Sequence, residues 1–131
     1  MKPPPPIEIQ IHALLSGGAF RLAQEWSSSQ SLTGGEYAKV FTVARQDVLR
    51  YVEAHGFPAG CFSERPGSSD GPYMIQDNGQ YVVYVQERGI PFSETVHASR
   101  READAAMVNL LLGLSGTGLY ASTTFSSAPD A

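Results

Sequence analysis

Apolar and polar positions follow two different periods along this chain. Tyr73-Met74-Ile75 and Tyr81 to Gln86 are runs of β-branched and aromatic residues on either side of Asn78-Gly79. Asn-Gly tolerates the two positive φ angles of a type I′ turn, so these runs predict a hairpin. Glu87-Arg88-Gly89 then turns the chain, and Pro91 to Val96 predicts a third strand. In the middle strand Tyr81, Val83 and Val85 point one way, and Val82 and Tyr84 the other. Both faces are apolar, which predicts a central strand whose second face is either covered or left as an aromatic docking patch.

A helical period appears twice. Between Ala44 and His55 the apolar residues Val48, Leu49 and Val52 recur at helical spacing, with Arg45, Gln46, Arg50 and Glu53 on the other side. Thr42 is a candidate cap, and Gly56 followed by Pro58 gives the usual stop. The second pattern starts at Ser99, with Glu102 three residues later, a capping box. Ala103, Ala106, Met107, Leu110, Leu111 and Leu114 then form a wide apolar stripe.

The N-terminal third reads as strand. Ile7-Glu8-Ile9-Gln10-Ile11-His12 alternates apolar and polar, the period of a half-buried strand. Ser16-Gly17-Gly18 breaks the chain, and Ala19 to Trp26 predicts a second strand with Phe20, Leu22 and Gln24 on one face. A helix from His12 to Trp26 is the rival, weakened by the adjacent glycines. Tyr37 to Val43 is also β-rich. Ser27 to Gly35 and Pro58 to Gly71 read as loops. The order predicts an α+β fold: an antiparallel sheet of N-terminal strands plus a three-strand meander, with two helices at about 44–55 and 100–114. Residues 1–6 are a proline-rich leader, extended or disordered, 7–114 a single domain, and 115–131 a loose Gly/Ser/Thr-rich tail, with Leu119, Tyr120 and Phe125 as its points of attachment.

Composition narrows the function. The chain has 131 residues, enough for one domain with its own core, and a net charge of −4. Between Gln46 and Glu94 lie seven acids (Asp47, Glu53, Glu64, Asp70, Asp77, Glu87, Glu94) and three bases (Arg50, Arg65, Arg88), the whole of that imbalance. An acidic surface argues against nucleic acid and suits a basic protein partner. Cys61 is the sole cysteine, so no disulfide and no cysteine-rich metal site is expected within the chain. No apolar run approaches the roughly 20 residues of a membrane span, and no export signal is evident, which points to the cytoplasm.

The residues that carry chemistry are scattered. Gly113, Gly116 and Gly118 follow a helix, whereas phosphate loops precede one. His12, His55 and His97 have no metal-ligand spacing. The acids are spread singly, and no serine has a nucleophile-elbow frame. The expectation is a binding protein with no catalytic residues, cofactor or metal. The candidate contacts are the charges at loop and strand ends, Glu64, Asp70, Asp77, Glu87, Arg88 and Glu94, with Tyr84 as an aromatic anchor.

The stretch Gly79-Gln80-Tyr81-Val82-Val83-Tyr84-Val85-Gln86-Glu87-Arg88-Gly89, then Phe92-Ser93-Glu94, then Ser99-Arg100-Arg101-Glu102-Ala103 opening a leucine-rich helix, resembles bacterial immunity proteins of polymorphic-toxin and contact-dependent inhibition systems. The resemblance spans residues 73–114; Tyr81 stands where tryptophan is common, and the proline leader has no counterpart. It implies a cytoplasmic protein, monomer or weak homodimer, that neutralises a cognate protein toxin by covering its active site or substrate groove. A basic, nuclease-type toxin would suit the acidic segment. The alternative is a cytoplasmic chaperone of a secreted effector, which would be a dimer holding a non-globular segment.

Overall fold

A computed structural model of the chain describes residues 2–28 and 32–120. The elements are α1 (Ile7–Ser16), α2 (Ala19–Ser27), α3 (Gly34–Val40), α4 (Arg45–His55), β1 (Gly71–Asp77), β2 (Gln80–Glu87), β3 (Ile90–His97) and α5 (Arg100–Leu114). Among the described residues this makes five helices and one antiparallel sheet in the order β1-β2-β3. The α+β character, the meander and the helices near 44–55 and 100–114 are present; the N-terminal strands, and with them the two-helix count, are not.

The correction at the N-terminus has a clear cause. Gln10, Ile11, Leu14 and Leu15 are the buried residues of α1, a stripe at helical spacing. Ile7 and Ile9, which gave the alternation its strand-like period, are about half exposed at 52% and 49%. The glycine pair joins two helices instead of breaking a strand. Gly17 ends α1 at φ +82°, a left-handed conformation that costs glycine little, and Gly18 N–H donates to the Ala13 carbonyl at 2.9 Å. In α2 the buried positions are Ala19 and Ala23, four residues apart.

The segment expected as strand from Tyr37 to Val43 is helical up to Val40. Its start is a capping box: Thr33 Oγ1 accepts from Glu36 N–H, and Glu36 Oε1 accepts from Thr33 N–H at 3.0 Å. Thr42 does not cap α4. The residue in the cap position is Ala44, whose N–H donates to Asp47 Oδ2 at 2.9 Å, and Thr42 bonds Gln10 instead. In α5 the Ser99 hydroxyl accepts from Glu102 N–H at 3.2 Å, while the Glu102 carboxylate reaches one residue further back, to Ala98 N–H. The buried stripe of α5 is Ala103, Met107, Val108, Leu111 and Leu112, rotated from the expected one, so that Leu114 is exposed.

Helix α5 lies against all three strands; α1 and α4 pack on α5, α2 on α1 and α3 on α2. The core joins Ile11, Leu14, Val48, Val52, Met107, Leu111 and Leu112 to Met74 and Val83, which face one another across β1 and β2. Both ends of the described residues are tied to this body. Trp26 Nε1 donates to the Pro3 carbonyl at 2.9 Å, and the Lys2 ammonium lies 5.2 Å from the Trp26 ring and donates to the Trp26 carbonyl. At the other end Tyr120 donates to the Val43 carbonyl at 2.7 Å. Phe125 and the rest of 121–131 lie outside the described residues.

Candidate functional site

The β1–β2 register places two sets of side chains on opposite faces. Tyr81, Val83 and Val85 face α5 together with Met74. Tyr73, Ile75 and Asp77 of β1 share the outer face with Tyr84, Val82 and Gln80 of β2, paired in that order. On β3, Val96 stands opposite Val82. Among the described residues no helix covers this face. It is shielded at one end only, where the loop before β1 folds over Tyr73 and Gln86. The Tyr73 hydroxyl donates to the Ser69 carbonyl at 2.7 Å, and the Gln86 amide donates to the carbonyls of Gly67 and Ser69 at 2.8 and 3.1 Å. That gives both N–H groups of the buried Gln86 amide an acceptor and leaves Tyr73 1% exposed. Beyond the loop, Ile75, Val82 and Tyr84 are half-buried and Val96 is 54% exposed.

Tyr84 is the centre of this surface. Its ring stacks on that of Tyr73, with centroids 5.0 Å apart and planes 4° from parallel. On its other flank the strands lose register: Val83 pairs with Thr95 and Val85 with Phe92, so Ser93 and Glu94 together face Tyr84. Ser93 carries the bulge at φ +55°. Burial, then the neighbouring Tyr73, then the Glu94 charge push the Tyr84 phenol above its ordinary value.

The sequence-derived candidates therefore divide. Asp77, Tyr84 and Glu94 share the outer face. Glu87, Arg88 and Asp70 sit at the end where β2 turns into β3, through Arg88 and Gly89 at φ +53° and +80°. There Asp70 Oδ1 accepts from Arg88 N–H at 2.9 Å, so Asp70 holds the turn to the loop. Glu64 is apart, at a cleft of about 160 Å³ lined also by Phe57, Cys61, Phe62 and Arg100. Phe57 and Phe62 meet edge to face at 5.0 Å in its wall. Burial pushes the Cys61 thiol upward, away from the thiolate form that a nucleophile needs.

Sequence reasoning missed Val96, and with it the continuous apolar row Ile75–Val82–Val96 that three paired strands create. It also missed a polar cluster on α1 and α4. The His12 Nε2 lies 2.7 Å from the Tyr51 hydroxyl, which donates to Glu8 Oε2 at 3.4 Å, and the His55 ring lies 4.6 Å from that of Tyr51. Glu8 and His12 are four residues apart, a spacing that makes them neighbours on one face of a helix but holds them roughly 13 Å apart on a strand. Burial, and then Glu8, push the Tyr51 phenol upward. Among the described residues no group of three or more His, Cys, Asp or Glu side chains is placed to hold a metal ion, and no helix is long and apolar enough to cross a membrane.

No protein-family model, curated protein or solved structure matches this chain.

Proposed function

We propose that this chain is a cytoplasmic immunity protein, which binds a cognate bacterial toxin and neutralises it by covering its active site or substrate groove. One observation carries the reading: the sheet's outer face joins the apolar row Ile75–Val82–Val96 and the Tyr84 ring to the carboxylates of Asp77 and Glu94, with no lysine or arginine on any of the three strands. An apolar, aromatic centre excludes water at an interface, and charges of a single sign select an oppositely charged partner and speed its approach. The groove of a nuclease-type toxin has that opposite charge. Inhibition by occlusion requires no chemistry from the inhibitor.

The β3 edge of the sheet supports a folded partner over an extended one. In a two-residue hairpin the Glu87–Ile90 pair closes the turn, which directs the following Pro91 nitrogen to the outer edge of β3. That edge therefore lacks a donor at Pro91 and is bent by the bulge at Ser93, two features that oppose strand addition. A chaperone holding a non-globular segment along β3 is correspondingly less favoured.

The test starts from the neighbouring gene. A long secreted protein encoded upstream should carry a C-terminal domain that kills cells expressed alone and spares them when this chain is co-expressed. The two should purify as a complex of one folded copy each. Failure of rescue overturns the reading. Recovery of a dimer of this chain around an unfolded segment overturns it in favour of the chaperone.

A further inference from the structure

The Tyr84 ring is covered by Tyr73 on one face, and β3 brings no second ring to its other flank. The bulge leaves Ser93 and Glu94 there instead. Among the described residues the Tyr84 hydroxyl makes no hydrogen bond, and the Glu94 carboxylate makes neither a hydrogen bond nor an ion pair. Glu94 is exposed, none of the three strands carries a lysine or arginine, and Arg88 lies out in the turn. A half-buried aromatic ring beside a carboxylate is thus held in place by the backbone, with nothing among the described residues to complete it.

An arginine side chain has the chemistry to complete both. Its guanidinium is planar and weakly hydrated, stacks on an aromatic face, and still has N–H groups left to donate to a carboxylate. A lysine ammonium makes the ion pair but stacks poorly, since it is a compact and strongly hydrated charge. A second copy of this chain is a poor occupant, because two such faces would bring Asp77 and Glu94 against their own like charges. We propose that Tyr84 and Glu94 form a seat for an arginine of the protein partner, its guanidinium stacked on the Tyr84 ring and donating to the Glu94 carboxylate. The seat deepens the binding reading above, and rests on it for the identity of the protein that supplies the arginine.

The experiment needs no toxin. The full chain, isotope-labelled, is titrated by NMR with a capped hexa-arginine peptide and with a capped hexa-lysine peptide. Shifts should centre on Val82, Tyr84 and Val96, and hexa-arginine should bind roughly threefold more tightly than hexa-lysine, the scale of an exposed cation–π contact. Glu94→Gln should weaken both peptides. Tyr84→Leu should abolish the preference for arginine, and Tyr84→Phe, which keeps the ring and its stack on Tyr73, should retain it. Equal binding of the two peptides, a preference that survives Tyr84→Leu, or shifts centred on Glu64 and the cleft would each overturn the seat. A failure here leaves the inhibitor reading standing, and a failure of toxin rescue leaves the seat standing.

Discussion

The side chain of Gln10, wholly buried in α1, accepts the N–H of Thr42 at 2.8 Å and so fixes the turn between α3 and α4 to the first helix. Its oxygen also accepts from Val43 N–H at 3.3 Å, and its nitrogen donates to the Pro5 carbonyl at 2.8 Å and to Thr42 Oγ1 at 3.1 Å. One amide thereby satisfies backbone groups on both sides of it that have no other partner in a helix or strand. Removing it leaves them unpaired, with the Val43 N–H inside the core. Gln10→Ala should lower stability by about 2–3 kcal/mol in urea unfolding, the cost of buried polar groups left unpaired. A loss under about 0.5 kcal/mol would show that water replaces the amide there.

The rotated stripe of α5 predicts a graded series. Leu111 and Leu112 are 5% and 1% exposed, whereas Leu110 is half-buried and Leu114 is 52% exposed. Leu111→Ala and Leu112→Ala should each cost roughly 2–5 kcal/mol, and Leu114→Ala less than about 0.5 kcal/mol. Thermal or urea unfolding of the set checks it. A large loss at Leu114 with little at Leu112 would mean that the helix presents a different face to the core.

The elements that were legible carry their own local chemistry. Asn78 and Gly79 adopt φ +52° and +77°, as a type I′ turn requires, so that hairpin is written in two residues. Ser99 with Glu102, and Gly56 after His55, mark helix ends in the same local way. The N-terminal helices were hidden because α1 buries a glutamine and exposes two isoleucines, which inverts the usual code. Gln10 is tolerated inside only because Pro5 and Thr42, the latter 32 residues away, complete its hydrogen bonds. The Thr33–Glu36 box was legible in principle but enclosed Gly34 and Gly35, which argue against a helix. Of the outer face, Tyr84 was visible as a strand residue and Asp77 as a charge near a strand end. The place of Glu94 beside Tyr84 depends on a bulge between two strands, and pairing of that kind leaves no mark in either strand alone.

Burial also sets a pH dependence. It pushes the His97 imidazole below its ordinary value of 6.5, and the Glu102 carboxylate offsets this only in part. Between the lowered value and 6.5 the unfolded chain binds a proton that the folded chain does not. Stability therefore rises with pH through that window and is lost as pH falls through it, levelling off below the folded value. His97→Asn removes the group and retains a partner for Thr95 Oγ1, which lies 2.8 Å from His97 Nε2. The drop in melting temperature from about pH 7 to about pH 5.5 should be smaller in the variant than in the parent, the carboxylates being common to both. A larger drop in the variant would mean that folding makes His97 easier to protonate.

The division of the acidic residues between the outer face and the rest of the surface predicts how association with the proposed basic toxin domain should respond to charge reversal. Asp77 and Glu94 lie on the face proposed to dock, Glu64 lies at the cleft, and the Asp70 carboxylate is already occupied by Arg88 N–H. Long-range attraction between opposite charges raises association rates and fades as salt screens it. Asp77→Lys and Glu94→Lys should each slow association by roughly three- to tenfold at low ionic strength, with the difference nearly gone at about 0.5 M salt. Glu64→Lys should change the rate by less than about twofold, since mutants outside an interface leave steering largely intact. Asp70→Asn should act differently: it weakens the bond that holds the β2–β3 turn, so its effect belongs to dissociation and to stability and should persist at high salt. Stopped-flow association at two ionic strengths separates these cases. If Glu64→Lys slowed association more than Asp77→Lys and Glu94→Lys, the toxin would be approaching across the Phe57–Phe62 cleft, and the outer face of the sheet would not be the docking surface.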